Sequence, residues 1–444
     1  MQYTSYKTFT FLIQGKVPLL KSNIEYLYNI FNRNFFIEDS KIIKQLLANP
    51  NKLSVSLKNK LLASGFIYLK NKPPYINVRK GQIFTIWFHI TNICNLNCPY
   101  CFVNKLKPNN MDLQEAIQYL KKIIIDIKKH NYTKLKIKYT GGEPLLPEPF
   151  NRIKLIHKKL RPIAKKFDIQ LEEIIITNGT NITMDMLQFI KQENFSLVIS
   201  IDGWGKIHDK TRKTINGQST FKTIIENIHK HSINFNLSVV ANKYNTHNIY
   251  KLLEFAFDRP KPIGVKLNFI RDNPNTTYNV VPKISKLIRD LKKAYITATK
   301  LIIKYKHSPI LLNSLLDYID FTFPKDFTCE ASRAYMSLES GGYFNTCHMF
   351  INKKNHNIKQ SNDIIESLNN INIPKRISVD QKDTCKICPI KYICGGGCPL
   401  LTKYIYKTYN HPSFYCTVYK QLAPFLLGLM AYIYYLYKRK DKVL

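Results

Sequence analysis

Between residue 84 and about residue 305 the chain switches back and forth between two hydrophobic periods. Short apolar or alternating runs predict strands: FTIWFHI from Phe84, KLKIKYT ending at Thr140, EEIIIT ending at Thr177, FSLVISI running to Asp202, NLSVVAN and GVKLNFI. Between them, apolar residues spaced three and four apart predict helices near 111–129, 150–166, 183–193 and 218–231, and again around LLEFAF. Strand and helix alternating in this way predict an α/β fold with a parallel sheet. Six such units make a partial TIM-type (β/α)6 barrel, whose chemistry belongs at the carboxyl ends of the strands.

The flanks read differently. Residues 1–80 predict a separate small module. YKTFTFLI and NIEYLYNI read as strands around a turn at Gly15, and SKIIKQLLANP and SVSLKNKLLASG as helices. Gly65 ends the second helix before the strand-like FIYLK. The alternating core is expected over 81–305, a helical bridge over 306–324 and a cysteine-rich domain over 325–418; two helical stretches are expected within 283–320. The last segment, 419–444, holds LAPFLLGLMAYIYYLY followed by Lys438, Arg439 and Lys440. Its apolar run is shorter than the roughly 20 residues a membrane span requires. Pro424 suits the first turn of a helix, so a helix packed on the cysteine-rich domain is expected, without a membrane span.

A chain of 444 residues can bury the core of two or three domains. Its formal charge of +37 invites a nucleic-acid reading. Lysine is nevertheless spread through every segment, and no aromatic-interleaved basic stripe stands out. An acidic peptide partner explains the charge at least as naturally. Ten cysteines without a charged start and long apolar run at the N-terminus point to the cytoplasm, where thiols stay reduced and can hold metal.

Those cysteines fall into two groups. Cys94-x3-Cys98-x2-Cys101 follows the first barrel strand at once. Three thiolates on one loop satisfy three irons of a cubane [4Fe–4S] cluster and leave the fourth open for a chelating ligand. Buried structural cysteines or half a zinc site are the plainer readings, but structural zinc usually takes four protein ligands. The second group is Cys329-x12-Gly342-x4-Cys347, then Cys385-x2-Cys388-x5-Cys394-x3-Cys398, and finally Cys416. Directly after the second barrel strand stands Gly141-Gly142-Glu143-Pro144, where glycines admit a ligand to the backbone and a carboxylate can hold an ammonium. Thr177-Asn178-Gly179 ends the third strand. Ser200-Ile201-Asp202-Gly203 ends the fourth and leads to His208, Asp209 and Arg212.

Taken together, residues 84–418 resemble the radical S-adenosylmethionine enzymes that carry a C-terminal SPASM domain. The likeness is to the peptide and protein maturases, both anaerobic sulfatase maturases and thioether-forming maturases of ribosomally made peptides. The resemblance implies a catalytic [4Fe–4S] cluster on Cys94, Cys98 and Cys101, with S-adenosyl-L-methionine at its open iron. Gly141, Gly142, Glu143 and Pro144 would then bind the methionyl amino group, and Ser200 and Arg212 would face the carboxylate or ribose. It also implies two auxiliary iron–sulfur clusters, the first on Cys329, Cys347 and Cys398, the second on Cys385, Cys388, Cys394 and Cys416. Residues 1–80 would be a winged-helix-like peptide-recognition module or, alternatively, a lid on the barrel.

By the same resemblance the partners are a peptide or protein substrate, with an acidic leader as one form, and a reductant such as flavodoxin or ferredoxin. The implied activity is hydrogen abstraction by a 5′-deoxyadenosyl radical, followed by a crosslink such as a thioether. Oxidation of Cys or Ser to formylglycine is the alternative within the family. Outside it stands a metal-binding module that docks nucleic acid. Two departures bear on this. Phe323 stands near the place where relatives with eight auxiliary cysteines carry the eighth, which leaves a position for Glu330, His348, water or a substrate thiolate. His348 stands where sulfatase maturases carry an aspartate after the cysteine.

Overall fold

The computed structural model describes residues 6–8, 12–20, 23–69, 82–103, 109–231, 233–271, 280–351, 353–371 and 373–440. The N-terminal module holds β1 (Tyr6–Thr8), β2 (Leu12–Lys16), β3 (Ile24–Asn29), β4 (Asn34–Asp39), α1 (Ser40–Ala48), α2 (Val55–Ala63) and β5 (Ile67–Leu69). Strands β2, β3 and β4 form an antiparallel sheet, and β1 pairs with β5. Asp39 and Ser54 cap the two helices by accepting from the backbone N–H of Lys41 and Leu57. Two expectations are corrected. Gly15 lies within β2, opposite Tyr26, because a side chain there would meet the Tyr26 ring at 2.6–2.8 Å; the turn falls at 18–20. NFFIED, expected as no element, is β4. The expected boundary at 80–81 lies outside the described residues.

The core runs β6 (Ile83–Thr91), α3 (Leu113–Lys129), β7 (Lys134–Gly141), α4 (Pro147–Lys166), β8 (Gln170–Thr177), α5 (Met184–Gln192) and β9 (Ser196–Ser200). It continues with α6 (Phe221–His231), β10 (Asn236–Ala241), α7 (Ile249–Phe257), β11 (Val265–Phe269) and α8 (Ile284–Lys304). Strands β6 to β11 lie side by side in chain order, all parallel, as the partial barrel requires. Alternation decides the faces. Phe84, Ile86, Phe88 and Ile90 of β6 are wholly buried in the apolar layer that includes Ile123, Ile124 and Ile127 of α3. Thr85, Trp87 and His89 therefore point into the barrel.

After the core, a 3₁₀ helix (Pro309–Leu315) takes the place of the second expected helical stretch. There follow β12 (Tyr335–Glu339), β13 (Tyr343–Asn345), β14 (His356–Asn357), α9 (Ile364–Asn370), α10 (Lys391–Cys394), α11 (Pro399–Tyr406) and α12 (Cys416–Lys440). Strand β12 pairs parallel to β6, with Tyr335 beside Thr85 and Ser337 beside Trp87. The cysteine-rich region thus continues the barrel sheet beyond its first strand.

The C-terminal helix also differs from expectation. It begins at Cys416, and Pro424 lies inside it. By length and composition Cys416–Lys438 could cross a membrane, but 61% of its most apolar window is buried. It packs on α8 and the N-terminal module as well as following the cysteine-rich region. Tyr26 donates to the Pro424 carbonyl at 2.7 Å, and Tyr437 donates to the carbonyls of Ile302 and His307, both at 3.1 Å. A Cβ at Gly428 would lie 2.6 Å from the Lys16 carbonyl oxygen and 2.7 Å from Pro18. Gly428→Val is therefore expected to lower stability by about 2–3 kcal/mol through overpacking, read by urea denaturation. Unchanged or raised stability would show that the helix and the module do not meet at this point.

Candidate active site

The loop that follows β6 is held from three sides. On the first, Thr91 and Ile93 accept from the backbone of the second strand end: Gly142 N–H to Thr91 O at 2.6 Å, and Glu143 N–H to Ile93 O at 2.8 Å. This contact needs two glycines. A Cβ on Gly142 would sit 1.9 Å from the Ile93 oxygen, and one on Gly141, whose φ is +133°, would sit 2.3 Å from the Thr91 oxygen. On the second side, Asn95 accepts from Asn178 Nδ2 and donates to Thr180 Oγ1, each at 2.8 Å. On the third, Asn97 N–H donates to Lys213 O at 2.9 Å and Ile215 N–H to Asn95 O at 3.1 Å. The ends of β7, β8 and β9 with its following segment thereby converge on residues 91–97.

Within that frame Cys94, Cys98 and Cys101 are half-buried cysteines outside any disulfide. A turn closed by Cys101 N–H to Cys98 O at 3.1 Å brings the last two onto one bend. The donor set fits a cubane cluster: three soft ligands, no disulfide, and a backbone approach from Gly141–Gly142 that any side chain would close. Arg212 adds a buried positive charge beside Cys98. Burial alone would lower its pKa, but Tyr100, Asp202 and Cys98 hold it well above the ordinary arginine value.

The structure gives other work to some of the expected ligand-binding residues. Glu143 is buried, and its carboxylate accepts from inside the barrel: from Leu145 N–H at 2.8 Å, Thr177 Oγ1 at 2.6 Å and Asn178 N–H at 2.7 Å. It braces the ends of β7 and β8, beside the backbone approach that Gly141 and Gly142 provide. Arg212 Nε lies 3.2 Å from Asp202 Oδ2, without hydrogen-bond alignment, and its guanidinium lies over the Tyr100 ring. Ser200 ends β9 next to Ser238 of β10, and no hydrogen bond engages its hydroxyl among the described residues.

Asp202 is the residue whose role was not foreseen. Fully buried, it accepts from the Tyr100 hydroxyl, from Thr211 Oγ1 at 3.1 Å and from Val240 N–H at 3.0 Å. Tyr100 lies between the second and third cysteines, so Asp202 ties their bend to the fourth and fifth strands. The one sequence signal was a carboxylate at the end of an apolar strand. His89 is also buried in the barrel. Its Nε2 meets Asn92 Oδ1 at 2.5 Å, Nδ1 has no partner, and burial lowers its pKa to about 4.

Four of the seven later cysteines share a cleft, and the other three lie near one another. Cys385, Cys388, Cys394 and Cys416 line one cleft, with Cys416 at the first turn of α12. Cys398 lies close enough to Cys329 and Cys347 to raise the pKa of both, and burial is the largest cause of the rise at Cys347, to about 12. Gly395, Gly396 and Gly397, at φ of +66°, +88° and +72°, carry the chain between the sets. Thr328 Oγ1 lies 2.6 Å from the Gly395 carbonyl oxygen and 2.8 Å from that of Gly397. Of the candidates for an eighth ligand, Glu330 is paired with Arg333 at 2.6 Å; Phe323, near the place of the missing cysteine, is exposed with Arg33 near its ring. His348 stacks on Trp87 at 4.4 Å, and its Nδ1 meets the Tyr335 hydroxyl at 2.7 Å. Burial, reinforced by Arg271 and Lys138, lowers its pKa to about 3, so the imidazole is neutral.

Comparison with known proteins gives one consistent picture. Residues 88–256 match the radical SAM superfamily. The radical SAM cyclopropyl synthase TigE of Paramaledivibacter caminithermalis is 25% identical over 358 residues, covering 72% of this chain and 69% of that protein. A cysteine-type anaerobic sulfatase-maturating enzyme of Clostridium novyi is 30% identical over 172 residues, covering 36% of this chain and 44% of that enzyme. Among solved structures, native anSMEcpe with bound AdoMet and Cp18Cys peptide aligns at a TM-score of 0.60 and 19% identity, over 80% of this chain and 99% of its own. Streptococcus suis SuiB bound to precursor peptide SuiA aligns at 0.53 and 15%, over 93% of this chain and 99% of its own. These last two likenesses are of fold.

Proposed function

Because the chain belongs to the radical SAM superfamily, and is an enzyme of it, we propose that it is a peptide maturase that installs a crosslink, such as a thioether, in a ribosomally made peptide. When bound, a reduced [4Fe–4S] cluster with S-adenosylmethionine supplies a 5′-deoxyadenosyl radical that takes a hydrogen atom from carbon. The chain's own part is to hold and enclose. Cys94, Cys98 and Cys101 would hold the cluster. Gly141 and Gly142 would admit the methionyl group to the backbone, and the Ser200 hydroxyl is free to meet the nucleoside. The two later cysteine sets would hold auxiliary clusters able to accept the electron that remains when a C–H and an S–H give one C–S bond.

The observation that carries the crosslink reading is the wall beside Cys347. There a neutral His348, Trp87, Phe102 and Tyr335 form an aromatic box, with no carboxylate following Cys347 to serve as base. Formylglycine formation is the runner-up, supported by the relatives that are sulfatase maturases. A peptide partner is supported by neighbours whose structures hold peptides. The excess of 67 basic over 30 acidic residues suits an acidic leader or an acidic reductant such as flavodoxin, and reduced cysteines suit the cytoplasm.

The test is mass spectrometry of a cysteine-containing precursor incubated with the reconstituted enzyme, S-adenosylmethionine and a reductant. Loss of two hydrogens with all sulfur retained is expected. Loss of sulfur with gain of oxygen would establish formylglycine instead, and an unchanged peptide beside ongoing cofactor cleavage would remove that peptide class.

A further inference from the structure

The barrel interior carries cations in layers. On β7 the inward positions are Lys134, Lys136 and Lys138, since Leu135, Ile137 and Tyr139 are buried on the other face. Lys134 and Lys136 share Glu172 of β8, at 3.6 and 2.9 Å. One layer nearer the mouth, Lys138 stands between Trp87 of β6 and Ile174 of β8 and has no carboxylate partner among the described residues. Burial first, then Lys136 and Lys266, with Glu172 opposing, lowers its pKa to about 8, which still leaves it mostly charged at neutral pH.

Two further observations fall at the same place. The Trp87 indole Nε1 is buried and unpartnered, although its ring is fixed against His348. Arg271, like Lys138, acts on His348 through its charge, but its guanidinium is closed on both Asp317 oxygens at 3.0 Å and on the Tyr318 hydroxyl at 2.8 Å. One cation beside the Trp87–His348 stack is therefore neutralised and the other is not. Desolvated charges are ordinarily paired, and an unpaired one beside an unpaired N–H fits an anionic acceptor brought from outside.

We propose that Lys138 and the Trp87 indole N–H form a carboxylate-binding site in the barrel, which grips the substrate peptide through an acidic side chain or its C-terminal carboxylate. The proposal rests on the peptide-maturase reading and narrows its substrate class. An ammonium gives a charge-assisted bond, and the indole N–H gives a second donor. The cofactor's own carboxylate is a poorer fit. Its methionyl end belongs at Gly141–Gly142, three residues further along β7, which at strand rise is about 10 Å away.

Calorimetry on the anaerobic holoenzyme, with S-adenosylmethionine bound, tests this without turnover. The probes are N-acetyl-aspartate N-methylamide, its asparagine isostere, N-acetyl-alanine and methionine. The aspartyl probe, N-acetyl-alanine or both should bind at least about tenfold more tightly than the asparagine isostere, since a charge-assisted bond is lost in the latter. The arm that binds identifies the source as side chain or chain end. Lys138→Met should bring the charged probes to within about twofold of the neutral one, and Trp87→Phe should weaken them about fivefold. Lys138→Gln guards against misfolding of the methionine variant, and both should melt no lower than the parent, because an unpaired charge is removed. Equal binding of aspartyl and asparaginyl probes, binding of methionine alone, or a lowered melting temperature in both variants would overturn the site. The maturase reading fails separately, on the mass of treated peptides.

Discussion

Replacing Cys94, Cys98 and Cys101 together with alanine is expected to bring 5′-deoxyadenosine formation to background while leaving about two-thirds of the iron, the share of two cubanes out of three. The fold should survive, because the loop is not held by its thiols. Residues 91–97 are tied to the ends of β7, β8 and β9 by backbone and asparagine hydrogen bonds, and the bend at Cys98–Cys101 by Tyr100 on Asp202. The other seven cysteines lie in the cleft and cluster described after β12, served by different elements. Iron by colorimetry and nucleoside by chromatography check both halves. Surviving cleavage would remove these cysteines from the catalytic role; loss of nearly all iron would mean that the later sets do not load by themselves.

Much of the architecture was legible because the barrel repeats a simple signal. Strands such as KLKIKYT alternate with period two, and the helices between them bury residues three and four apart, so the order and direction of β6 to β11 followed from pattern alone. The cysteine spacing was equally legible, since ligand geometry constrains it locally. What escaped is long-range. The pairing of β12 with β6 joins residues some 250 positions apart, and nothing in YMSLE names its partner. Pro424 reads as a helix start, yet the helix begins at Cys416 and carries the proline inside, where tertiary packing against Tyr26 outweighs local preference. Glu143 and Asp202 were visible as carboxylates at strand ends, but only the fold reveals that the donors they serve are internal, from Thr177 and Asn178 in one case and Tyr100 and Val240 in the other.

That internal service makes Asp202 the most consequential single position outside the cysteines. Asp202→Asn keeps the shape and one acceptor for Val240 N–H but removes the anion beside a buried Arg212. Breaking a buried pair from one side typically costs about 3–5 kcal/mol, because the remaining charge stays desolvated. A protein of ordinary stability has only about 5–15 kcal/mol in hand. Partial unfolding at moderate denaturant is therefore expected, together with loss of iron at the loop, since Tyr100 would lose its charged acceptor and free the bend that carries Cys98 and Cys101. Arg212→Met in the same chain removes the stranded charge, and the double variant is expected to recover about 2 kcal/mol or more relative to the sum of the single effects, as coupled neighbours do. The check is urea denaturation of all four forms beside electron paramagnetic resonance of the reduced cluster. An Asp202→Asn protein within about 1 kcal/mol of the parent, with a full cluster signal, would show that the loop keeps its shape without this anion.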